Sequence, residues 1–340
     1  MRVNRSVMPV LAAGILLAGL ACGGGEKEQQ ASPEPTVQLL VGTPPPVVAT
    51  PVDDTALEGD QDQDRAPALV ALDWLEQPVE VPPLPAFAPA SDDAQLLDAL
   101  HGALTEAEGR VSLVVRNLED GRYAAVSSTE VYYAASLFKL GILFEAFRQA
   151  DAGVLDFGRI VTLEQKYADD DLGTLELLGL HAGDTLTVAD AVRAMIIVSD
   201  TPSAVLLQDT VGGQTADATL RSLGIEDTSF NNRSLPATAA DMSTLMEAVA
   251  AGAGVSGESK TRMLQLLLQE GYKDGVAAGL PEGTAIAHKT GSYSDATHDV
   301  ALVWGPGGPY IISVMSDQPN NWPLIAEVSR TVWDYFAANP

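Results

Sequence analysis

One cysteine in 340 residues leaves no partner for a disulfide within the chain and no thiolate set for a zinc site. Basic side chains are scarce as well: 19 Lys and Arg stand against 46 Asp and Glu, a formal net charge of −27. A nucleic-acid binder needs the opposite balance, because its phosphate contacts are made by cations. Only four histidines occur, His101, His181, His288 and His298, and none falls in a metal-ligating spacing such as H-E-x-x-H. The chain has no glycine-rich phosphate loop and no G-x-S-x-G turn. No metal or organic cofactor is expected.

What is present begins with a targeting segment. Arg2 and Arg5 precede an apolar run from Val7 to Ala21, which is too short to span a bilayer and is interrupted by Pro9. Residues 1–21 read as a signal peptide. Ala18, Gly19, Leu20 and Ala21 are small or apolar and lead directly into Cys22, so the segment resembles a bacterial lipoprotein cleavage site, with Gly19 where leucine is usual. Cleavage there leaves Cys22 to carry lipid and places the protein outside the cytoplasm, anchored to the cell envelope. The alternative is an ordinary signal peptide, an incidental cysteine and a secreted product.

Residues 22–90 read as a tether. Twelve of the 21 prolines fall in this stretch, among acidic and small polar residues, and such a composition buries too little apolar surface to fold alone. Asp60, Asp62 and Asp64 imitate the start of a calcium loop, but Arg65 and Ala71 stand where that loop needs Gly and Glu. Ala68 to Leu84 carries Trp74 and several aliphatics that suit docking on a folded body. That body is expected over residues 91–340. Gln95–Glu106 has helical spacing; Val111–Leu118 and Tyr123–Val126 read as strands joined at Glu119-Asp120-Gly121. A helical stretch, broken by Gly and Pro, follows from Ser136 to about Glu270. Three late strands are predicted, Ala285–Ser292, Val300–Trp304 and Tyr310–Met315, then a helix from Pro323 to Ala338. Strands at both ends and helices between predict an α+β fold: one antiparallel sheet flanked by helices, with an inserted all-helical subdomain.

Three short patterns carry chemistry. In Ser136-Leu137-Phe138-Lys139, a three-residue spacing puts the lysine on the helical face of the serine hydroxyl. The residues that follow are apolar on most sides, so Lys139 is buried, its ammonium is disfavoured, and a neutral amine can act as base toward Ser136. Ser136 at a helix start also offers its own N–H to an oxyanion. Ser199-Asp200-Thr201 precedes Pro202, which opens another helix. Lys289-Thr290-Gly291 lies inside a strand, where glycine permits close approach of another backbone. Taken singly, each has a bland structural explanation: a lysine snorkelling from a helix end, an N-cap, an edge strand.

In this order and spacing, however, the three motifs resemble the class A β-lactamase and penicillin-binding superfamily of serine acyl-transferring enzymes, across about residues 92–338. The resemblance implies Ser136 as nucleophile, Lys139 as base or proton relay, and Ser199 as the donor that delivers a proton to the leaving nitrogen. It assigns the substrate carboxylate to Lys289 and Thr290, with Gly291 allowing close approach. The backbone N–H groups of Ser136 and Ser292 would hold the oxyanion. His298, on the neighbouring strand, is expected to add a contact to the carboxylate, although a strand-end histidine is more often structural.

Two departures qualify the resemblance. Thr201 stands where the second motif usually ends in asparagine, whose amide grips the acyl group. The stretch Phe230–Pro236 is short and holds no glutamate to activate a deacylating water; Glu226 and Asp241 flank it. The expected function is therefore acyl-enzyme formation at Ser136 with a β-lactam or related amide, followed by hydrolysis that is slow. The alternatives are a D,D-peptidase acting on peptidoglycan stem peptides and a non-hydrolytic lipoprotein that binds penicillin or cell-wall peptides. A monomer, attached to the membrane through Cys22, is expected.

Overall fold

The computed structural model describes residues 67–340 except Arg233. The signal segment, Cys22 and Asp60–Asp64 thus lie outside the described residues. The N-terminal part holds β1 (Ser91–Asp92), α1 (Ala94–Ala103), β2 (Val111–Asn117), β3 (Arg122–Val126) and β4 (Tyr132–Tyr133). The middle runs through α2 (Phe138–Asp151), β5 (Ile160–Thr162), α3 (Gln165–Ala168), α4 (Thr174–Leu178), β6 (Thr185–Thr187), α5 (Val188–Ile197), α6 (Thr201–Val211) and α7 (Gly213–Ser222). It continues with β7 (Pro236–Ala237), α8 (Ala239–Ala251) and α9 (Gly257–Leu267). Three strands, β8 (Ile286–Tyr293), β9 (Ala296–Gly305) and β10 (Gly308–Ser316), and the helix α10 (Trp322–Ala338) complete the chain.

Six strands form the main sheet in the order β1-β3-β2-β10-β9-β8, so strands from the two ends of the chain pair at its centre. The β2–β10 register sets Val114 opposite Ser313 and Leu113 opposite Val314. All pairings are antiparallel except β1 with β3. Alternation along each strand then serves two layers. Leu113, Val115, Ala301, Val303, Tyr310 and Ile312 face one core, shared with α1 and α10. Val114, Val300, Leu302, Ile311 and Met315 face the other, shared with the inserted helices. The insertion is not purely helical. Alternating residues in Ile160–Thr162 and Thr185–Thr187 pair as a short antiparallel ribbon, and β4 pairs with β7.

The segment before Ser91 packs on this body. Leu69 bridges to Thr185, and a 3-10 turn at Asp73–Leu75 buries Leu72 and Leu75 completely or nearly so. The Leu72 N–H donates to Asp190 Oδ1 at 3.0 Å, and the Glu76 carboxylate is clamped by Arg193 and Arg262. Farther along, Trp304 Nε1 donates to Pro83 O at 3.2 Å and Ala88 N donates to Leu118 O at 2.9 Å. The docking expected of Ala68 to Leu84 is thus made, with a few leucines burying apolar surface within a proline-rich stretch.

Candidate active site

Ser136 sits in a 3-10 turn, Ala135–Leu137, that runs into α2. Helix α2 is apolar on most sides: Leu140, Ile142, Leu143, Phe144 and Ala146 are buried, with Lys139 and Glu145 buried among them, so the helix lies at the centre of the inserted subdomain. Gly141 permits this packing on one side, since a Cβ there would stand 2.1 Å from Phe230 Cε2. Ala135, just before the serine, has φ of +45°, and Ser199 has φ of +57°. Left-handed backbone at non-glycine residues is strained and tends to mark functional sites. Of five such residues among those described, these two flank one side chain, Lys139.

Lys139 is fully buried. Its Nζ lies 3.0 Å from Ser136 Oγ, 3.1 Å from Ser199 Oγ and 3.1 Å from Thr201 Oγ1, and it also bonds the carbonyl of Ser199. Burial, and after it the positive charge of Lys289, holds the amine well below the ordinary lysine range, against the opposing pull of Asp200 and Glu270. A neutral amine has two N–H donors and one lone pair. The Ser199 carbonyl and one hydroxyl take the donors, which leaves the lone pair for the Ser136 hydroxyl proton. Thr201 reaches Lys139 directly, so the shorter side chain still makes one polar contact at that position.

Asp200 begins α6 by accepting from Ser203 N at 2.7 Å, and it also accepts the Thr174 hydroxyl. Thr174 is in turn held by Asp171, whose Oδ1 accepts from Thr174 N at 2.9 Å and Leu175 N at 3.2 Å. Asp171 thus supports the Ser199 loop from behind.

The edge strand β8 supplies the opposite wall. Gly291 lies flat against the serine turn: an added Cβ would be 3.0 Å from Ala134 O and 3.2 Å from Leu137 Cγ. Thr290 N–H donates to Glu270 and so faces away from β9. By the two-residue period of a strand, Ser292 N–H leaves the same free edge, beside Ser136. Ser136, Ser199, Thr201 and Ser292 are partly exposed, whereas Lys139, Asp200, Lys289 and Thr290 are buried. Solvent reaches the hydroxyls and not the cations. Tyr133 and Tyr293 meet in a tilted pair, 5.3 Å between centroids, near this edge.

Three expected residues are placed differently from the resemblance. Lys289 and Thr290 both bind an internal acid, Glu270: Thr290 Oγ1 donates at 2.6 Å, Thr290 N at 3.0 Å, and Lys289 Nζ forms an ion pair with it. His298 is fully buried and does not join the cluster. Its Nε2 donates to Tyr133 O at 2.9 Å and its Nδ1 accepts from Ser316 N at 3.2 Å. With both ring nitrogens held by backbone, it has no atom for a carboxylate and instead fixes the strand before the nucleophile. Burial pushes its pKa down to about 4, keeping the ring neutral.

The loop Phe230–Pro236 is tied to the serine turn by Ala134 N donating to Leu235 O at 2.8 Å. Of the acids flanking it, Glu226 is exposed, while Asp241 accepts from Asp227 N at 3.1 Å and sits in the first turn of α8. Neither carboxylate is held toward Ser136 by these contacts.

Sequence reasoning missed a buried polar group behind β8. Glu270, His288, Lys289 and Asp299 are all fully buried, and Lys273 joins them. His288 Nδ1 meets Asp299 Oδ1 at 3.2 Å and Nε2 meets Lys273 Nζ at 3.1 Å. Burial, then Lys273, lowers His288 to about 3, while burial raises Asp299 to about 7. Neutral His288 therefore donates through Nδ1 and accepts from Lys273. Glu270 is separated by twenty residues from Thr290 and belongs to no periodic pattern, so only the folded chain brings them together. Among the described residues, no group of three or more His, Cys, Asp or Glu is placed to hold a metal ion.

A sheet made from both chain ends, an inserted helical region and a Ser–Lys–Ser cluster at their seam define a serine-hydrolase-like fold. The chain belongs to the beta-lactamase enzyme family, Beta-lactamase2, which matches residues 95–336. Beta-lactamase L2 of Stenotrophomonas maltophilia is 28% identical over 246 residues, covering 66% of this chain and 80% of that protein. PBP-A is similar in three dimensions, with a TM-score of 0.69 at 25% identity, covering 74% of this chain and 99% of that one. A mutant of PBP-A, solved as an acyl-enzyme complex with penicillin G, gives the same TM-score and identity. A β-lactamase from Sphaerobacter thermophilus has a TM-score of 0.64 at 25% identity, covering 72% of this chain and 98% of that one. The fold and superfamily expected from the three motifs hold.

Proposed function

We propose that this protein is an acyl-transferring serine enzyme that forms an acyl-enzyme at Ser136 with a β-lactam or related amide and releases it slowly. The observation that carries this reading is the 3.0 Å contact between Ser136 Oγ and a buried Lys139 whose amine is pushed well below the ordinary lysine range by burial and by Lys289. In the first step the Ser136 Oγ–C bond forms as its proton passes to Lys139 Nζ, and the tetrahedral oxyanion lies against the N–H groups of Ser136 and Ser292. As the C–N bond breaks, the proton returns from Lys139 through Ser199 Oγ, 3.1 Å away, to the leaving nitrogen. Water then adds to the Ser136 ester and frees the acid.

The second step is the weak one. The loop at Phe230–Pro236 carries no carboxylate, so it offers no general base to take the proton of the attacking water. This favours stable acylation, as in a penicillin-binding protein, over rapid β-lactam turnover. The acyl-enzyme complex of the PBP-A mutant with penicillin G supports the same chemistry by similarity. Lipidation of Cys22 and anchoring to the cell envelope are part of the proposal. The test is intact-protein mass spectrometry after incubation with a penicillin. A lasting adduct on the wild type, absent from Ser136→Ala, is expected; an adduct retained in Ser136→Ala would overturn the assignment, and rapid hydrolysis without any adduct would overturn slow release.

A further inference from the structure

Ser199 must reach the leaving nitrogen from a backbone that does not hold itself. Its φ of +57° lies in the left-handed region, where a non-glycine residue is strained and stays only if its neighbours fix it. The Ser199 carbonyl is held by Lys139 Nζ, and Asp200 N donates to Ala194 O at 3.0 Å. A third grip comes through the Asp200 carboxylate, which is fully buried.

Capping a helix would use only half of that carboxylate. Oδ2 accepts from Ser203 N at 2.7 Å and so starts α6. Oδ1 instead accepts the hydroxyl of Thr174, a buried residue far back in the chain. That hydroxyl also stands 3.2 Å from Asp171 Oδ1, but it has a single hydrogen and the Asp200 oxygen is nearer. Asp171 Oδ1 is supplied by the backbone N–H groups of Thr174 and Leu175, which fixes where the Thr174 side chain starts. A second bond ties the same region to α6: the Tyr167 hydroxyl donates to Asp209 Oδ2 at 3.0 Å. Helix α6 is thus gripped at its start by Thr174 and about two turns later by Tyr167. The strained serine sits just before the first grip.

We propose that Thr174 is a positioning residue: its hydroxyl, acting through Asp200, holds Ser199 where it delivers a proton to the leaving nitrogen. The inference rests on the acyl-transfer reading of Ser136, with Ser199 as the proton donor. In that step the C–N bond breaks, the Ser199 Oγ proton goes to nitrogen, and Lys139 restores it. An activated ester makes a different demand. Its C–O bond breaks with the electron pair leaving on a nitrophenolate, which is stable without a proton, and the Ser136 proton stays on Lys139. Displacing Ser199 slows amide cleavage and spares the ester, whereas a general loosening of the site slows both.

The probes are a penicillin and nitrophenyl acetate. Acylation is timed by intact mass for the first and by nitrophenolate absorbance for the second, with the Ser136→Ala rate subtracted. Thr174→Val keeps the shape and removes the hydroxyl; it is expected to slow the penicillin about tenfold relative to the ester. Thr174→Ser keeps the hydroxyl and is expected to hold the wild-type ratio. Ser199→Ala, which removes the donor outright, is expected to lower the ratio about 10²-fold. An unchanged ratio in folded Thr174→Val, or Thr174→Ser as impaired as Thr174→Val, overturns the inference. Where Thr174→Val fails to fold, Thr174→Ala decides in the same way, since it sets no γ-methyl against the Asp200 carboxylate. No Ser136-dependent reaction with either probe removes the acyl-transfer reading. Equal loss for both probes in Ser199→Ala removes Ser199 as donor, and the inference with it. A wrong Thr174 ratio beside the expected Ser199 ratio removes this inference alone.

Discussion

Lys139 shows how a single buried side chain acquires a task. Its ammonium would cost several kcal/mol to bury unpaired, and the charge of Lys289 disfavours it further. Losing the proton relieves both problems and creates a base in contact with Ser136. His298 is the opposite case, a buried titratable group held neutral for structure. Its pKa falls from 6.5 in the unfolded chain to about 4 in the fold. A depressed value means the unfolded chain binds the proton first. The stability this ring contributes is thus present above pH 6.5 and is lost as pH falls toward 4. The shift corresponds to about 3 kcal/mol. Urea unfolding of the wild type and of His298→Gln at pH 7.5 and pH 4 should show the wild type losing about 3 kcal/mol more than the variant across that range. Asp299 titrates in the same window with the opposite sign, being raised to about 7, but its effect cancels between the two proteins. Parallel losses would mean that His298 does not titrate as argued.

At the scale of elements, the glycine of β8 fixes how close the sheet comes to the nucleophile. Gly291 has 3.0 Å of clearance from Ala134 O at its absent Cβ. Gly291→Ala must push β8 and the serine turn apart by a few tenths of an ångström, which moves Ser292 N–H off the oxyanion. Acylation by a penicillin should slow by about 10²-fold, the usual effect of losing one such donor, while the thermal midpoint changes little. Equal rates for variant and wild type would show that the close approach has no bearing on Ser136. The elements themselves were largely legible in the sequence. Val111–Leu118, Tyr310–Met315 and the last helix have strong periodicity and clear turn signals, and they form within a few residues of where they were expected. The Ser136, Ser199 and Lys289 motifs do come together. What was not legible depends on folding: Glu270 arriving at Thr290, and both nitrogens of His298 turned to backbone. Each is a long-range contact made by an isolated residue, which leaves no local pattern.

For the molecule as a whole, the connectivity makes the site a property of complete folding. Strands β2 and β10 come from opposite ends of the chain and lie side by side in the sheet, with the helical region inserted between them in sequence. One apolar cluster runs across the seam: Val300, Leu302 and Met315 from the sheet share it with Leu137, Leu140 and Phe144 beside the nucleophile, and with Leu72 and Leu75 from the N-terminal segment. Ser136 and Lys139 stand on one side of that seam, Lys289 and Gly291 on the other. Neither layer can melt while the other keeps its buried face. Heat should therefore unfold the described body in one transition, and the ability of Ser136 to be acylated should vanish with it. Leu72→Ala provides the sharper test, because this residue lies in the segment that composition alone assigns to a tether. Loss of a fully buried leucine costs about 2–5 kcal/mol when the residue belongs to a cooperative core. Calorimetry on Leu72→Ala should show the single transition lowered by several degrees, with loss of acylation shifted in parallel. An unchanged midpoint would make residues 67–90 a separable strap. Two resolved transitions would make the sheet and the helical insertion independent units that merely meet at the site.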